Sequence, residues 1–221
     1  FLNPYRIYNL GNLYWIAADS ERWDKHYIQV SDINASGTAD WFGGEGWIPI
    51  GNSTIPFSGN YNGNNRGIHG LYINRPEDGQ QGLFGNLSGA QVYELELTGV
   101  NVTGSFYAAG LAGRVSNSEI TGCYVSGDVN GDENVGLLAG FILNTSSIAS
   151  SSVNGNVSGS HFIGGLTGYI DNSAVNSSFS EGTVNGSYNA GGLVGLIDAV
   201  TVSNSYTRSE VSGIDYIGGL T

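Results

Sequence analysis

The feature that most restricts how this chain can fold is a motif that returns on a fixed beat. Gly82-Leu83-Phe84-Gly85, Gly110-Leu111-Ala112-Gly113, Leu137-Leu138-Ala139-Gly140, Gly165-Leu166-Thr167-Gly168, Gly192-Leu193-Val194-Gly195 and Gly219-Leu220-Thr221 align on their leucines. The steps between successive leucines are 28, 27, 28, 27 and 27 residues. Four further apolar columns keep the same phase. They are Val92, Ile120, Ile148, Val175 and Val202; Val102, Val129, Val157, Val184 and Val211; Ala108, Val135, Ile163, Ala190 and Ile217; and Val115, Ile142, Ile170 and Ile197. Such a period marks stacked units, none of which can bury its apolar face without a neighbour.

The units read as β-structure. They are rich in β-branched residues and glycine, which are poor in helix interiors. Apolar residues alternate with period two, as in Ile120, Cys123 with Val125, and Val129. Between them stand Gly, Asn and Ser, which turn a chain sharply. Three short strands and three corners fit one coil, and five coil-to-coil steps of about 4.8 Å rise roughly 24 Å. The expectation is an all-β parallel solenoid of about 27 residues per coil, its apolar ladders facing one interior.

Residues 1–56 break the pattern. They hold all four tryptophans (Trp15, Trp23, Trp41 and Trp47) and one plausible helix, Leu10 to Ala18, with Asn9 as its cap. A solenoid end exposes a strand edge that invites aggregation unless covered. We therefore read 1–56 as an aromatic-rich N-terminal cap whose rings plug the core, and 57–221 as the solenoid. Residues 57–73 read as the first coil, with a turn at Asn62-Gly63. The chain stops at Thr221 inside a motif. This is either a piece of a longer protein or an edge that pairs with another copy or another domain.

Composition narrows the function. Charged residues are only 12% of the chain, yet hydrophobic residues are 40%, enough to offset the entropy of ordering. The net charge is −12, and after Arg75 only Arg114 and Arg208 are basic. Nucleic acid and anionic membranes need clustered Lys and Arg, so both are set aside as partners. Cys123 is the only cysteine, which excludes an intrachain disulfide and a CxxC site; it stands where other coils carry Ser. No apolar run nears the ~20 residues that cross a bilayer, so no membrane insertion is expected. Without an initiator Met or a signal peptide, Phe1 reads as a processed or trimmed start.

Trp47-Ile48-Pro49-Ile50-Gly51, Phe57-Ser58-Gly59, Tyr61-Asn62-Gly63-Asn64 and Gly82-Leu83-Phe84-Gly85 follow one another in the order of a known repeat family, and later coils continue it, as in Cys123 to Gly131. Over almost its whole length the chain resembles the GLUG-motif repeats of large bacterial and archaeal surface proteins, also found beside the protease domain of IgA-specific metallopeptidases. The resemblance implies a right-handed β-helix and an extracellular, cell-surface setting. It implies no protease activity: those relatives carry zinc on a His-Glu-x-x-His motif in a separate domain, and His26, His69 and His161 do not form one.

No catalytic set stands out, and the chain is expected not to be an enzyme and to need no cofactor. Asp171 and Asp198 share a repeat position and should stack on adjacent coils, where two carboxylates could hold calcium or act on a glycoside; two solvated corner residues are the plainer alternative. Tyr124, Phe179 and Tyr206 share an outward column that could grip glycans, or could simply stabilise the strands. Sequons occur at Asn34, Asn52, Asn86, Asn101, Asn144, Asn156, Asn176 and Asn185 as possible N-glycosylation sites. Two classes of function follow. One is a structural or adhesive surface module (spacer, adhesin stalk, or sheath or filament subunit) that meets other surface proteins or copies of itself through the solenoid end. The other is a carbohydrate-binding or carbohydrate-active domain.

Overall fold

The structure, a computed structural model, describes residues 3–221. The motif leucines climb one row. The Leu138 amide donates to the Leu166 carbonyl at 2.9 Å, Leu166 to Leu193 at 2.9 Å, and Leu193 to Leu220 at 3.0 Å. Leu83, Leu111, Leu138, Leu166 and Leu193 are all fully buried. The valine columns pair rung by rung, as Val92↔Ile120↔Ile148↔Val175↔Val202 and as Val102↔Val129↔Val157↔Val184↔Val211, every pair parallel. The fold is a parallel β-solenoid in which a 16-stranded and a 5-stranded sheet wrap one apolar core.

Most coils have the three strand stretches expected, as in Thr167–Asp171, Ala174–Asn176 and Phe179–Gly191. One coil has four, because its last stretch is divided: Ala112–Ser116, Glu119–Thr121, Tyr124–Asn130 and Glu133–Gly136. A left-handed residue recurs in phase within the last stretch of each coil: Tyr107, Asn134, Phe162, Asn189 and Tyr216 have φ of 58°, 58°, 56°, 53° and 55°. The kink redirects the chain, which then pairs again, Val135 beside Ile163. A second bend requires glycine. Gly127 and Gly182 have φ of 135° and 119°, and a Cβ on Gly155 between them would lie 1.9 Å from the Gly127 carbonyl oxygen. Rungs nest at this bend because no side chain intervenes.

Hydroxyls staple two other corners from within. The amides of Ala90, Ser118 and Ser146 donate to the Oγ atoms of Ser118, Ser146 and Ser173 on the next coil, at 3.0 to 3.2 Å. A parallel ladder runs from Cys123 through Ser151 and Ser178 to Ser205. Cys123 heads this ladder as a buried thiol, the role its repeat position predicts.

At the N-terminus a helix spans Leu10–Ala17, and the Asn9 side chain accepts the Asn12 amide as its cap. The ladder extends into this region: Tyr5 pairs with Tyr27, Tyr27 with Tyr61, and Tyr61 with Val92. The expected aromatic plug needs correction in its membership. Trp23 and Trp47 are buried with Tyr27, Phe57, Tyr61 and Phe84, and the Trp47 indole donates to the Leu83 carbonyl. Trp15 is exposed, with the Arg22 guanidinium 3.9 Å above its ring, and Trp41 is half-buried. The turn expected at Asn62-Gly63 is instead an irregularity within the strand Asn60–His69, absorbed by left-handed Asn64 and Asn65. Among the described residues no helix is long and apolar enough to cross a membrane.

Candidate functional site

The outer ladders are where the sequence placed its candidate chemistry. Asp171 and Asp198 pair in register on adjacent rungs, as their spacing predicts. They hold the neighbouring Tyr169 phenol above its ordinary range, after burial, the larger cause. No third ligand joins them: among the described residues no three His, Cys, Asp or Glu side chains gather as a metal site. The pair lacks the six to eight oxygens that calcium takes, so these side chains alone do not make a calcium site.

Phe179 and Tyr206 stack with ring centroids 5.1 Å apart and planes within 3°. Tyr124 stands apart, because its rung neighbours are Glu96 and Ser152. The stacked pair turns ring faces toward each other and edges toward solvent, and the Arg208 guanidinium lies 5.3 Å from the Tyr206 centroid. A sugar docks on a ring face, so this ladder spends on itself the surface a glycan would use. A second stack escaped the sequence reading: Tyr107, Phe141 and Tyr169 follow at 5.5 and 5.0 Å, within 22° of parallel. Its members come from two different repeat columns, which the leucine beat does not align. It too is closed face to face.

Of the eight sequons, Asn86 is corrected. It is 3% exposed and its amide donates to the Asn52 carbonyl at 3.2 Å, so no glycan can be attached there without unseating it. The other seven asparagines stand exposed.

Rings that are not stacked face to face occur on the cap, where Trp41 also leans on buried Trp47 with centroids 6.0 Å apart. Tyr14 meets Trp41 edge-on, at 5.1 Å and 70°, and Phe42 meets Trp41 at 89°, so these rings do not close on one another. Sequence reasoning assigned the cap aromatics to the core. The adjacent Trp41-Phe42 followed by Gly43-Gly44 was the available signal, since paired glycines after paired rings suit a surface loop better than a plug.

These coils define a class, a parallel β-solenoid of Gly-Leu-x-Gly repeats, and one of them, residues 104–130, matches the family profile described as The GLUG motif. Among curated proteins the chain is similar to halomucin of Haloquadratum walsbyi, 36% identical over 153 residues, 68% of this chain and 2% of that protein. It is also similar to a Gly-rich membrane protein of Evansella cellulosilytica, 40% identical over 79 residues, 35% of this chain and 9% of that one. The chain thus spans a small fraction of these relatives. Among solved structures it resembles a Bacteroides ovatus chain described as an immunoglobulin A1 protease, with a TM-score of 0.80 and 19% identity over 96% of this chain and 68% of that one. A second chain, described as IgA1 protease, matches with a TM-score of 0.61 and 21% identity over 97% of this chain and 17% of that one. At these identities the structural likeness speaks for the fold.

Proposed function

We propose that the chain is a non-catalytic extracellular module of a cell-surface protein, serving as an adhesive or spacing rod. The observation that carries this reading is the unbroken register of the ladder, from Tyr5 in the cap to Val202 in the last coil. Each added coil lengthens such a rod by a fixed step without changing its cross-section. The names of the two curated relatives, a halomucin and a membrane protein, support a place at the cell envelope. Other surface proteins or copies of the module are the partners that this reading implies. The acidic balance and scarce Lys and Arg speak against nucleic acid as a partner. Antibodies against residues 57–221 should label intact source cells, and brief external proteolysis should remove the signal. Labelling that requires permeabilised cells would overturn the reading.

A further inference from the structure

A cleft of about 480 Å³ with a mixed, mainly apolar lining opens where the cap meets the solenoid. Ile48 and Pro49 line one side, Asp78, Gln80 and Gln81 another, and Phe106, 45% exposed, stands at the edge. Arg75 also lines it and connects it to the aromatic cradle of Tyr14, Trp41 and Phe42, which encloses about 290 Å³. The Arg75 guanidinium lies 6.0 Å from the Phe42 centroid. Arg75 thus faces both the cleft and the rim of the cradle.

The charges in this strip select the ligand. Nη1 of Arg75 is 2.9 Å from a Glu45 oxygen and 3.7 Å from an Asp78 oxygen, while its Nε donates to the Trp47 carbonyl. One positive charge facing two carboxylates offers no surplus to an anion. The two carboxylates, bridged by a guanidinium, offer no bare pair to a cation. What remains is neutral: amides, a serine hydroxyl, and apolar surface from Pro49, Phe106 and the cradle. Gln81 adds a buried Oε1 without a hydrogen-bond partner among the described residues, a costly arrangement that a hydroxyl donor could relieve. A molecule with apolar faces and many uncharged hydroxyls fits this combination.

The loop that carries Phe42 sets the rim of the cradle. Phe42 is held in the left-handed region at φ 50°, followed by Gly43 at 69°, Gly44 at 96° and Gly46 at 83°. The same conformation recurs at Tyr107, Phe162 and Tyr216 in the coils, so here it shapes the loop rather than marking a site. It holds the Phe42 ring 47% exposed at an open rim, where a side chain on Gly43 or Gly44 would touch nothing within 4 Å.

We propose that this strip binds an uncharged oligosaccharide, one sugar ring resting on the Tyr14–Trp41–Phe42 cradle and another held in the cleft beside Phe106, with Arg75 and Asp78 offering hydrogen bonds between them. The site is separate from the closed ring ladders of the coils, and it stands whether or not the module serves as a rod.

The test uses the chain of residues 1–221 on a glycan array carrying neutral glucose, mannose, galactose and N-acetylglucosamine oligomers beside sialylated and sulfated ones. The best hit is then measured by calorimetry, with a proline-rich peptide as competitor. Native protein should bind a neutral oligosaccharide. Phe42→Gly should weaken it at least tenfold while Tm holds or rises, since glycine adopts that conformation freely; a purely structural Phe42 would not separate the two effects. Phe106→Ala should cost a similar factor, and Phe179→Ala with Tyr206→Ala should leave binding intact. The proposal fails if the array shows no neutral hit, if binding is confined to charged glycans or to the peptide, if both Phe42→Gly and Phe106→Ala bind normally, or if the ladder double variant abolishes binding.

Discussion

Burial governs what single side chains do here, and Cys123 is the clearest case. Desolvation pushes its thiol up to about 12, from an ordinary 9.0. The native thiol is therefore protonated and inert at neutral pH. Ellman's reagent at pH 8 should label the folded chain slowly and the guanidinium-unfolded chain at once; fast native labelling would contradict the burial. The unfolded thiol loses its proton near pH 9 and the folded one near 12, so the stability it contributes is whole below 9 and drains away as pH climbs toward 12. Between pH 9 and 11 the loss is on the order of 2 kcal/mol. Desolvation shifts the buried phenols of Tyr27 and Tyr61 the same way, adding to the alkaline loss. Urea titrations should show Cys123→Ser losing less stability over that interval than native protein. Gly155→Ala acts through sterics instead: its Cβ would collide with the backbone of the rung below, and a cost of about 3 kcal/mol or more is expected in the same titrations.

Ladders are the elements that respond as units. Ser146 accepts the Ser118 amide and donates to the Leu143 carbonyl, all within the buried corner. Ser146→Ala should cost roughly 1–3 kcal/mol by leaving that amide unpaired. Ser205, half-buried at the last rung, should cost less than about 1 kcal/mol, because water can replace its hydroxyl. Equal losses at the two positions would contradict the staple. The leucine and valine columns could be read from sequence because burial enforces one residue type at one spacing. The serine staples could not, since serine also fills the exposed corners and only direction separates the two uses. Cys123 was the exception: one thiol among serines revealed that the position is internal. For the same reason Asn86 looked like its fellow sequons until packing turned it inward.

At the scale of the whole molecule, register decides what can be removed. Excising residues 165–191, one complete coil, brings Leu138 opposite Leu193 with every column in phase. That variant should unfold cooperatively and keep the native far-ultraviolet circular dichroism shape. Excising residues 165–178, half a coil, sets inward columns against outward ones and should give aggregate. Equal solubility and cooperativity in both would refute the stacked-coil reading. The same contrast explains why the solenoid was legible in sequence and the cap strip was not. Coils repeat, so each position is checked by its equivalents. The strip gathers Tyr14, Trp41, Phe42, Arg75, Asp78 and Phe106 from distant parts of the chain with no period to align them.

The recurring left-handed corner has one more effect. It sets two consecutive residues side by side along the outer edge, Phe106 with Tyr107, His161 with Phe162, Tyr188 with Asn189, each pair chemically unlike the last. Pitch is inherited from the interior, whereas this edge is lettered afresh at every level. Such a chain can diversify what it displays along one rail without redesigning the column that holds the rail upright.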